Sequence, residues 1–255
     1  MTGFARHWGA GRAPALLLHC SLAHSGAWEG VARALSDRLH LTAPDLVGHG
    51  RGPQRDPARD YHDHATEAAA AHLPEAPCHL IGHSFGATVA LRLALDHPAR
   101  VASLTLIEPV LFAAARGLPG WQRQRAGVAG LDAAFAAGDT ATATRLFLSV
   151  WGEGPGFDDL PAAQQRYLQD RIWVVAASRA ALDDDTARLL PRLAQLACPV
   201  LLVEGDRSPP VIAEIQTALG AAIPGHHRAV IDGAGHMAPV THPVAVADKI
   251  RHLLP

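Results

Sequence analysis

The chain has 255 residues, of which 49% are apolar and 18% are charged, so it can bury the core of an α/β domain and is not disordered. The formal net charge is −2 and the basic residues are scattered, which argues against a surface for nucleic acid or for anionic membranes. Residues 1–12 lack the apolar core of a signal peptide, and the run at 13–18 is far too short to span a bilayer. We therefore expect a cytoplasmic protein with neither a nucleic-acid nor a membrane partner.

Strand-like and helix-like stretches alternate along the first part of the chain, which predicts a parallel sheet covered by helices. Short, continuously apolar runs are typical of strands that are buried on both faces. In chain order the predicted elements are a strand at 15–19, a helix at 27–38, strand 39–43, helix 67–73, strand 78–81, helix 87–96 and strand 101–107.

The alternation is interrupted at residues 111–196, which are rich in Ala, Arg, Leu and Gln, have helical periodicity and contain no convincing strand. A structureless loop of this length is not expected in a compact domain, so this segment is predicted to be a helical insertion. The elements predicted after it are strand 199–203, helix 211–219, strand 229–231 and helix 244–254. We therefore predict an α/β core, with a mostly parallel sheet flanked by helices, formed by residues 1–110 and 197–255.

A candidate nucleophile lies in the segment GHSFG at 82–86, which matches the pattern G-x-S-x-G. The segment follows the predicted strand 78–81 and opens the helix 87–96, the strand–turn–helix context that this motif requires. Glycines permit a sharp turn because they lack Cβ atoms, and the serine then projects at a helix N-terminus that favours developing negative charge. We predict that Ser84 is the nucleophile; a helix-capping serine is the alternative.

Four segments, in this order, resemble the motifs of the α/β-hydrolase superfamily. They are LLLHCSLAHSGAW at 16–28, DLVGHGRG at 45–52, GHSFG at 82–86 and DGAGHMAPVTHP at 232–243. They are similar to the family's oxyanion segment, its D-x-x-G-H-G turn, its nucleophile elbow and its catalytic-histidine loop. The resemblance extends over nearly the whole chain outside the insertion, and it implies a serine hydrolase of the α/β-hydrolase fold.

The predicted base is His236, which follows the last predicted strand in the sequence GAGH. A serine hydroxyl is a poor nucleophile until a base accepts its proton. The order of nucleophile and then histidine agrees with this fold, and the glycines let the loop deliver the imidazole to Ser84. His83 is expected to point to the other side of the turn, and His49 lies in what resembles a structural turn.

The resemblance implies an oxyanion hole formed by two backbone N–H groups. One belongs to Phe85, the residue after the nucleophile, and the other to Ser21. Cys20 stands where the family commonly has glycine, and Leu22 is the less favoured alternative to Ser21.

The resemblance leaves two candidates for the acid that orients the base. The family's acid usually follows the strand at 199–203 in a G-x-x-D pattern, but Ser208 occupies that position here and Asp206 lies two residues earlier. Some relatives take the acid from the end of the preceding core strand, where Glu108 lies. We favour Glu108 slightly over Asp206; either carboxylate would orient and stabilise the imidazolium.

The insertion enters at the C-terminal edge of the sheet, where such folds place their ligands, and the resemblance implies a helical cap over Ser84. We expect most of its aromatic side chains to pack the cap onto the core and a few to line an apolar pocket. The aromatic residues in question are Trp121, Phe135, Phe147, Trp151, Phe157, Tyr167 and Trp173.

The predicted function is hydrolysis of a small, fairly apolar ester or lactone through an acyl-enzyme, with a small molecule as substrate and no cofactor. Carbon–carbon bond hydrolysis of a dienoic diketone and a non-catalytic ligand receptor remain alternatives. No metal site is expected, because the pairs His62/His64 and His226/His227 lack a further ligand at recognisable spacing and are interpreted as solvated loop histidines. The sequence does not indicate an oligomeric state.

Overall fold

The computed structural model describes residues 3–254, which form one seven-stranded sheet flanked by helices. The strands are β1 (Ala5–Trp8), β2 (Ala13–Leu18), β3 (Leu39–Pro44), β4 (Cys78–His83), β5 (Val101–Ile107), β6 (Val200–Gly205) and β7 (His227–Ile231). Their order in the sheet is β1-β3-β2-β4-β5-β6-β7. Only the pairing of β1 with β3 is antiparallel, so the predicted α/β class with a mostly parallel sheet is confirmed for the described residues.

The sheet buries both of its faces. Along β2, Leu16 and Leu18 belong to one hydrophobic cluster, whereas Ala15 and Leu17 belong to a second cluster on the opposite face. This separation follows from the two-residue side-chain period of a strand. The core helices are α1 (Glu29–Leu35), α2 (Tyr61–Ala70), α3 (Phe85–Asp96), α8 (Pro210–Ala222), α9 (Ala238–Thr241) and α10 (Pro243–Arg251).

Residues 112–195 contain short 3-10 turns and four α-helices, and no strand occurs in this part of the described chain. The helices are α4 (Pro119–Ala136), α5 (Thr140–Trp151), α6 (Ala162–Gln169) and α7 (Trp173–Asp184). The N-terminus of α4 is fixed to α8, because the Glu214 carboxylate accepts hydrogen bonds from Gly120 N–H at 2.6 Å and Trp121 N–H at 3.0 Å. The division into a core and a cap at residues 111 and 196 remains a prediction.

Two elements differ from the sequence-based expectations. Strand β1 was not predicted; it is a four-residue strand at the sheet edge whose side chains are exposed or half-buried, so it lacks a continuous apolar run. Helix α2 begins at Tyr61, before the predicted start at 67, because the Asp60 side chain accepts a hydrogen bond from Asp63 N–H and caps the helix.

The interpretation of His62 and His64 as solvated loop residues was wrong, because both lie in α2. His62 has only 1% of its surface exposed, and its ring is hydrogen-bonded to Thr88 Oγ1 at 3.2 Å. His64 is half-buried. None of the helices within residues 3–254 is long and apolar enough to cross a membrane.

Candidate active site

Ser84 lies at the tip of the turn that joins β4 to α3. Its backbone has φ 56° and ψ −118°, a strained region that non-glycine residues rarely adopt. A Cβ atom at Gly82 would lie 2.4 Å from the Gly86 carbonyl oxygen, and one at Gly86 would lie 2.3 Å from the Leu18 carbonyl oxygen. Both glycines are therefore required for the turn to pack against its neighbouring backbone.

A chain of hydrogen bonds joins the Ser84 hydroxyl to His236 and Glu108. His236 Nε2 lies 3.0 Å from Ser84 Oγ, and His236 Nδ1 lies 3.0 Å from Glu108 Oε2. The exposed fractions of Ser84, His236 and Glu108 are 6%, 5% and 0%, so bulk water has little access to the three side chains. Chemically, this arrangement can activate a hydroxyl and stabilise the imidazolium that results.

The second oxygen of Glu108 is held by two further donors. Glu108 Oε1 accepts hydrogen bonds from Gly205 N–H and from the Ser208 hydroxyl, each at 2.7 Å. The ends of β5 and β6 are adjacent, with Glu108 N–H donating to the Val203 carbonyl at 2.9 Å. A buried carboxylate with three polar partners is fixed in orientation, and Ser208 stands beside it at the family's usual acid position.

Asp206 occupies a different place. Its side chain is exposed, and Asp206 Oδ1 accepts a hydrogen bond from Gly233 N–H at 2.8 Å. Asp206 thus fastens the loop that carries His236, while the structure brings Glu108, and not Asp206, to the imidazole.

Two residues that sequence reasoning did not assign to the site also contact His236. His83 Nε2 lies 2.8 Å from the His236 carbonyl oxygen, to which it donates a hydrogen bond. Burial holds the pKa of His83 well below its ordinary value, so the ring is neutral. The Trp151 ring meets the His236 imidazole edge-on, with centroids 4.6 Å apart. The sequence signals for these contacts are the position of His83 inside the GHSFG motif and that of Trp151 among the aromatic residues of the predicted insertion.

Two backbone N–H groups near Ser84 have no hydrogen-bond acceptor among the described residues. Phe85 is the first residue of α3, where an N–H group has no acceptor within its own helix. In residues 3–254, no acceptor is hydrogen-bonded to Ser21 N–H, and Ser21 shares with Ser84 the lining of the same cavity. Leu22 N–H donates to His49 Nε2 at 3.0 Å and is therefore committed elsewhere.

Two buried histidines fix the loop that contains Ser21. His19 Nε2 accepts a hydrogen bond from Leu46 N–H, and His49 Nε2 accepts one from Leu22 N–H, both at 3.0 Å. Burial lowers the pKa of His19 to about 4 and that of His49 to about 3. Both rings are therefore neutral near pH 7, as their acceptor roles require.

A family model described as "alpha/beta hydrolase fold" matches residues 14–243. The chain belongs to the α/β-hydrolase family. This α/β hydrolase is 34% identical over 209 residues to a pimeloyl-[acyl-carrier protein] methyl ester esterase of Nitrosomonas europaea, covering 81% of this chain and 79% of the relative. A protein of the same name from Aeromonas hydrophila is 30% identical over 254 residues, with 96% of both chains covered. The chain is an enzyme of the carboxylic-ester hydrolase type.

Solved structures share the fold of this α/β hydrolase at lower sequence identity. Est816, described as an N-acyl homoserine lactone degrading enzyme, has a TM-score of 0.75 and 21% identity, covering 98% of this chain and 96% of that one. The enol-lactonase from Burkholderia xenovorans has a TM-score of 0.75 and 19% identity, with 98% and 95% covered. At these identities the likeness shows the fold alone.

Two cavities of this α/β hydrolase meet at Ser84. One extends among the helices of residues 112–195 and the other is a wide groove; with the solvent at their openings included, their volumes are about 680 and 2180 Å³. Ser21, Ser84, Phe147 and Trp151 line both. The site therefore has two adjoining spaces, both of which reach Ser84.

Proposed function

We propose that this α/β hydrolase cleaves a small, fairly apolar ester or lactone through an acyl-enzyme intermediate. In this proposal Ser84 is the nucleophile, His236 is the base and Glu108 is the acid. The observation that carries it is the buried, hydrogen-bonded chain from Ser84 Oγ through His236 to Glu108, beside a mostly apolar cavity.

In the first half of the reaction, Ser84 Oγ attacks the substrate carbonyl carbon while His236 Nε2 accepts the hydroxyl proton. Glu108 stabilises the imidazolium from the Nδ1 side. The N–H groups of Ser21 and Phe85 hold the oxyanion, and one such donor typically contributes about 10²-fold or more to the rate. The intermediate collapses when His236 passes its proton to the leaving alkoxide, which leaves an acyl group on Ser84.

In the second half, His236 accepts a proton from a water molecule that attacks the acyl-enzyme, and then returns a proton to Ser84 Oγ. The products are a carboxylic acid and an alcohol, or a hydroxy acid when the substrate is a lactone. No step requires a cofactor, because the protein supplies the nucleophile, the base and the oxyanion donors.

The proposed substrate class rests on the cavity walls and on the relatives. Apolar side chains from both the core and the helical segment line the smaller cavity, including Val110, Leu131 and Val175. Such a wall favours an apolar acyl or alcohol group of limited size. The relatives at 30% and 34% identity are named as methyl ester esterases, which supports an ester as the bond that is cleaved.

Labelling with a fluorophosphonate probe, combined with hydrolysis of p-nitrophenyl butyrate, tests this function. We expect the wild-type protein to be labelled and active, and the Ser84→Ala variant to be neither. Ser149→Ala is the matched control, because Ser149 is exposed and also lines the groove; this variant should be labelled like the wild type. An unlabelled wild type would favour a non-catalytic receptor, and turnover of ring-fission diketones in place of esters would favour carbon–carbon bond hydrolysis.

A further inference from the structure

The lining of the smaller cavity combines apolar and charged side chains. Near the nucleophile the cavity is lined by Ser21 and Ser84, and its walls are mainly apolar. The lining also includes Arg125 of α4 and both Arg179 and Asp183 of α7. Their side chains are 42%, 30% and 21% exposed, whereas Ser84 is 6% exposed, so these charged groups lie closer to the surface than Ser84.

These three residues and Asp132 form a network of ion pairs that we call the charged cluster. Arg179 Nη1 pairs with Asp132 Oδ1, Arg125 Nη1 lies 3.2 Å from Asp183 Oδ2, and Arg179 Nε lies 3.5 Å from the same oxygen. Two arginines and two aspartates make the cluster neutral overall. Because each pair except the one within α7 joins α4 to α7, the cluster connects the two helices beside the cavity.

An alkyl chain that reached the charged cluster would pack against charged side chains instead of apolar ones. The charges are only partly exposed, and burial already raises the pKa of Asp183 despite the opposing effect of Arg179 and Arg125. Covering the cluster with methylene groups would remove more water from charges that are paired but still partly hydrated. Each methylene buried against apolar side chains of the cavity strengthens binding, whereas a methylene placed against the charged cluster does not.

We propose that the charged cluster of Arg125, Asp132, Arg179 and Asp183 sets the upper limit on the length of the acyl chain that this enzyme accepts. This inference rests on the function proposed above and narrows its substrates to esters of short and medium acyl chains. The acyl chain lies along the smaller cavity, with its far end short of the cluster.

The test compares p-nitrophenyl esters from acetate to dodecanoate. For the wild type, kcat/KM rises by up to about fourfold per buried methylene and then falls once the chain reaches the cluster. The double variant Arg179→Met/Asp132→Leu removes one charge of each sign and leaves the Arg125–Asp183 pair in place. It should shift the maximum to longer chains and raise the ratio of dodecanoate to butyrate turnover by about tenfold.

Arg116→Met/Asp184→Leu is the matched control. This pair lies at 2.7 Å, also joins the segment before α4 to α7, and does not line the cavity. Melting temperatures of both double variants check that they are folded. An unchanged length profile in the cluster variant, or an equal shift in the control, would overturn the inference.

A second measurement follows the binding of fatty acids to the cavity and does not depend on catalysis. Binding of butyrate to dodecanoate to Ser84→Ala should raise the melting temperature more with each added methylene and stop doing so at the same chain length. Arg179→Met/Asp132→Leu, combined with Ser84→Ala, should shift that limit to longer chains. If the wild type hydrolyses none of the esters, the proposed hydrolysis is refuted. If the Ser84→Ala variant nevertheless shows the limit in fatty-acid binding, the length limit is supported. Binding that strengthens steadily up to dodecanoate would refute the length limit alone.

Discussion

Replacement of Glu108 by glutamine tests the role of the acid with almost no change in shape. Glu108 Oε1 accepts from Gly205 N–H, a backbone donor that cannot turn away, so the amide oxygen of glutamine must take this position. The amide NH₂ of glutamine then faces His236 Nδ1, so Nδ1 must accept a hydrogen bond from it. The imidazole proton moves to Nε2, which lies 3.0 Å from Ser84 Oγ and can no longer act as a base.

We therefore expect Glu108→Gln to lower kcat for p-nitrophenyl butyrate by about 10³- to 10⁴-fold, as the wrong histidine tautomer does in serine proteases that use a Ser-His-Asp triad. At about 1.4 kcal/mol per factor of ten, this is about 4–5.5 kcal/mol of lost transition-state stabilisation. Asp206→Asn is the matched control and should cost less than about fivefold, because its amide oxygen still accepts from Gly233 N–H. A Glu108→Gln variant that keeps more than about a tenth of the activity, alongside a larger loss in Asp206→Asn, would refute the assignment of the acid.

Two further predictions follow from the contacts of the site. Adding Ser208→Asp to a Glu108→Gly variant should restore kcat by about tenfold or more. Loss of the Glu108 side chain frees the space beside His236 Nδ1, and Ser208 Oγ lies 2.7 Å from Glu108 Oε1, so a carboxylate at 208 can turn into that space and orient the imidazole. A double variant no faster than Glu108→Gly would contradict this. The second prediction concerns the pH dependence of stability. The pKa values of His19, about 4, and of His49, about 3, lie below the ordinary histidine value of 6.5. Below about pH 6.5 the unfolded chain therefore binds protons at these two residues that the folded chain does not bind. Each ring should then lower the free energy of unfolding by about 1.4 kcal/mol per pH unit, down to the pKa of the ring in the folded protein. Between pH 7 and pH 5, the free energy of unfolding measured in urea should therefore fall less in His49→Gln than in the wild type. An equal fall in both proteins would contradict the lowered pKa of His49.

The parts of the site that sequence could predict are those with local causes. The elbow around Ser84 requires glycine at 82 and 86 because neighbouring backbone atoms leave no space for a Cβ atom. The mostly parallel sheet could be predicted because its buried strands are continuous apolar runs. The edge strand β1 could not be predicted, since it contains exposed residues such as Arg6 and therefore lacks a continuous apolar run.

The choice of acid depends on the folded sheet. Glu108 and Gly205 are 97 positions apart in the chain, and they meet because β5 and β6 pair side by side. The sequence alone could therefore place Glu108 and Asp206 on the same edge without deciding which carboxylate turns toward His236. The same holds for Trp151, whose contact with the imidazole depends on how α5 lies over the core.

The reciprocal bonds of His19 and His49 have a consequence for protein engineering. Each ring accepts a hydrogen bond from the other's loop, so segments 19–22 and 45–49 support each other although they are distant in sequence. A graft that imports only one segment from a homologue would leave a backbone N–H without its imidazole acceptor. The two segments form one exchangeable module, and chimeras of this enzyme should transfer them as a pair.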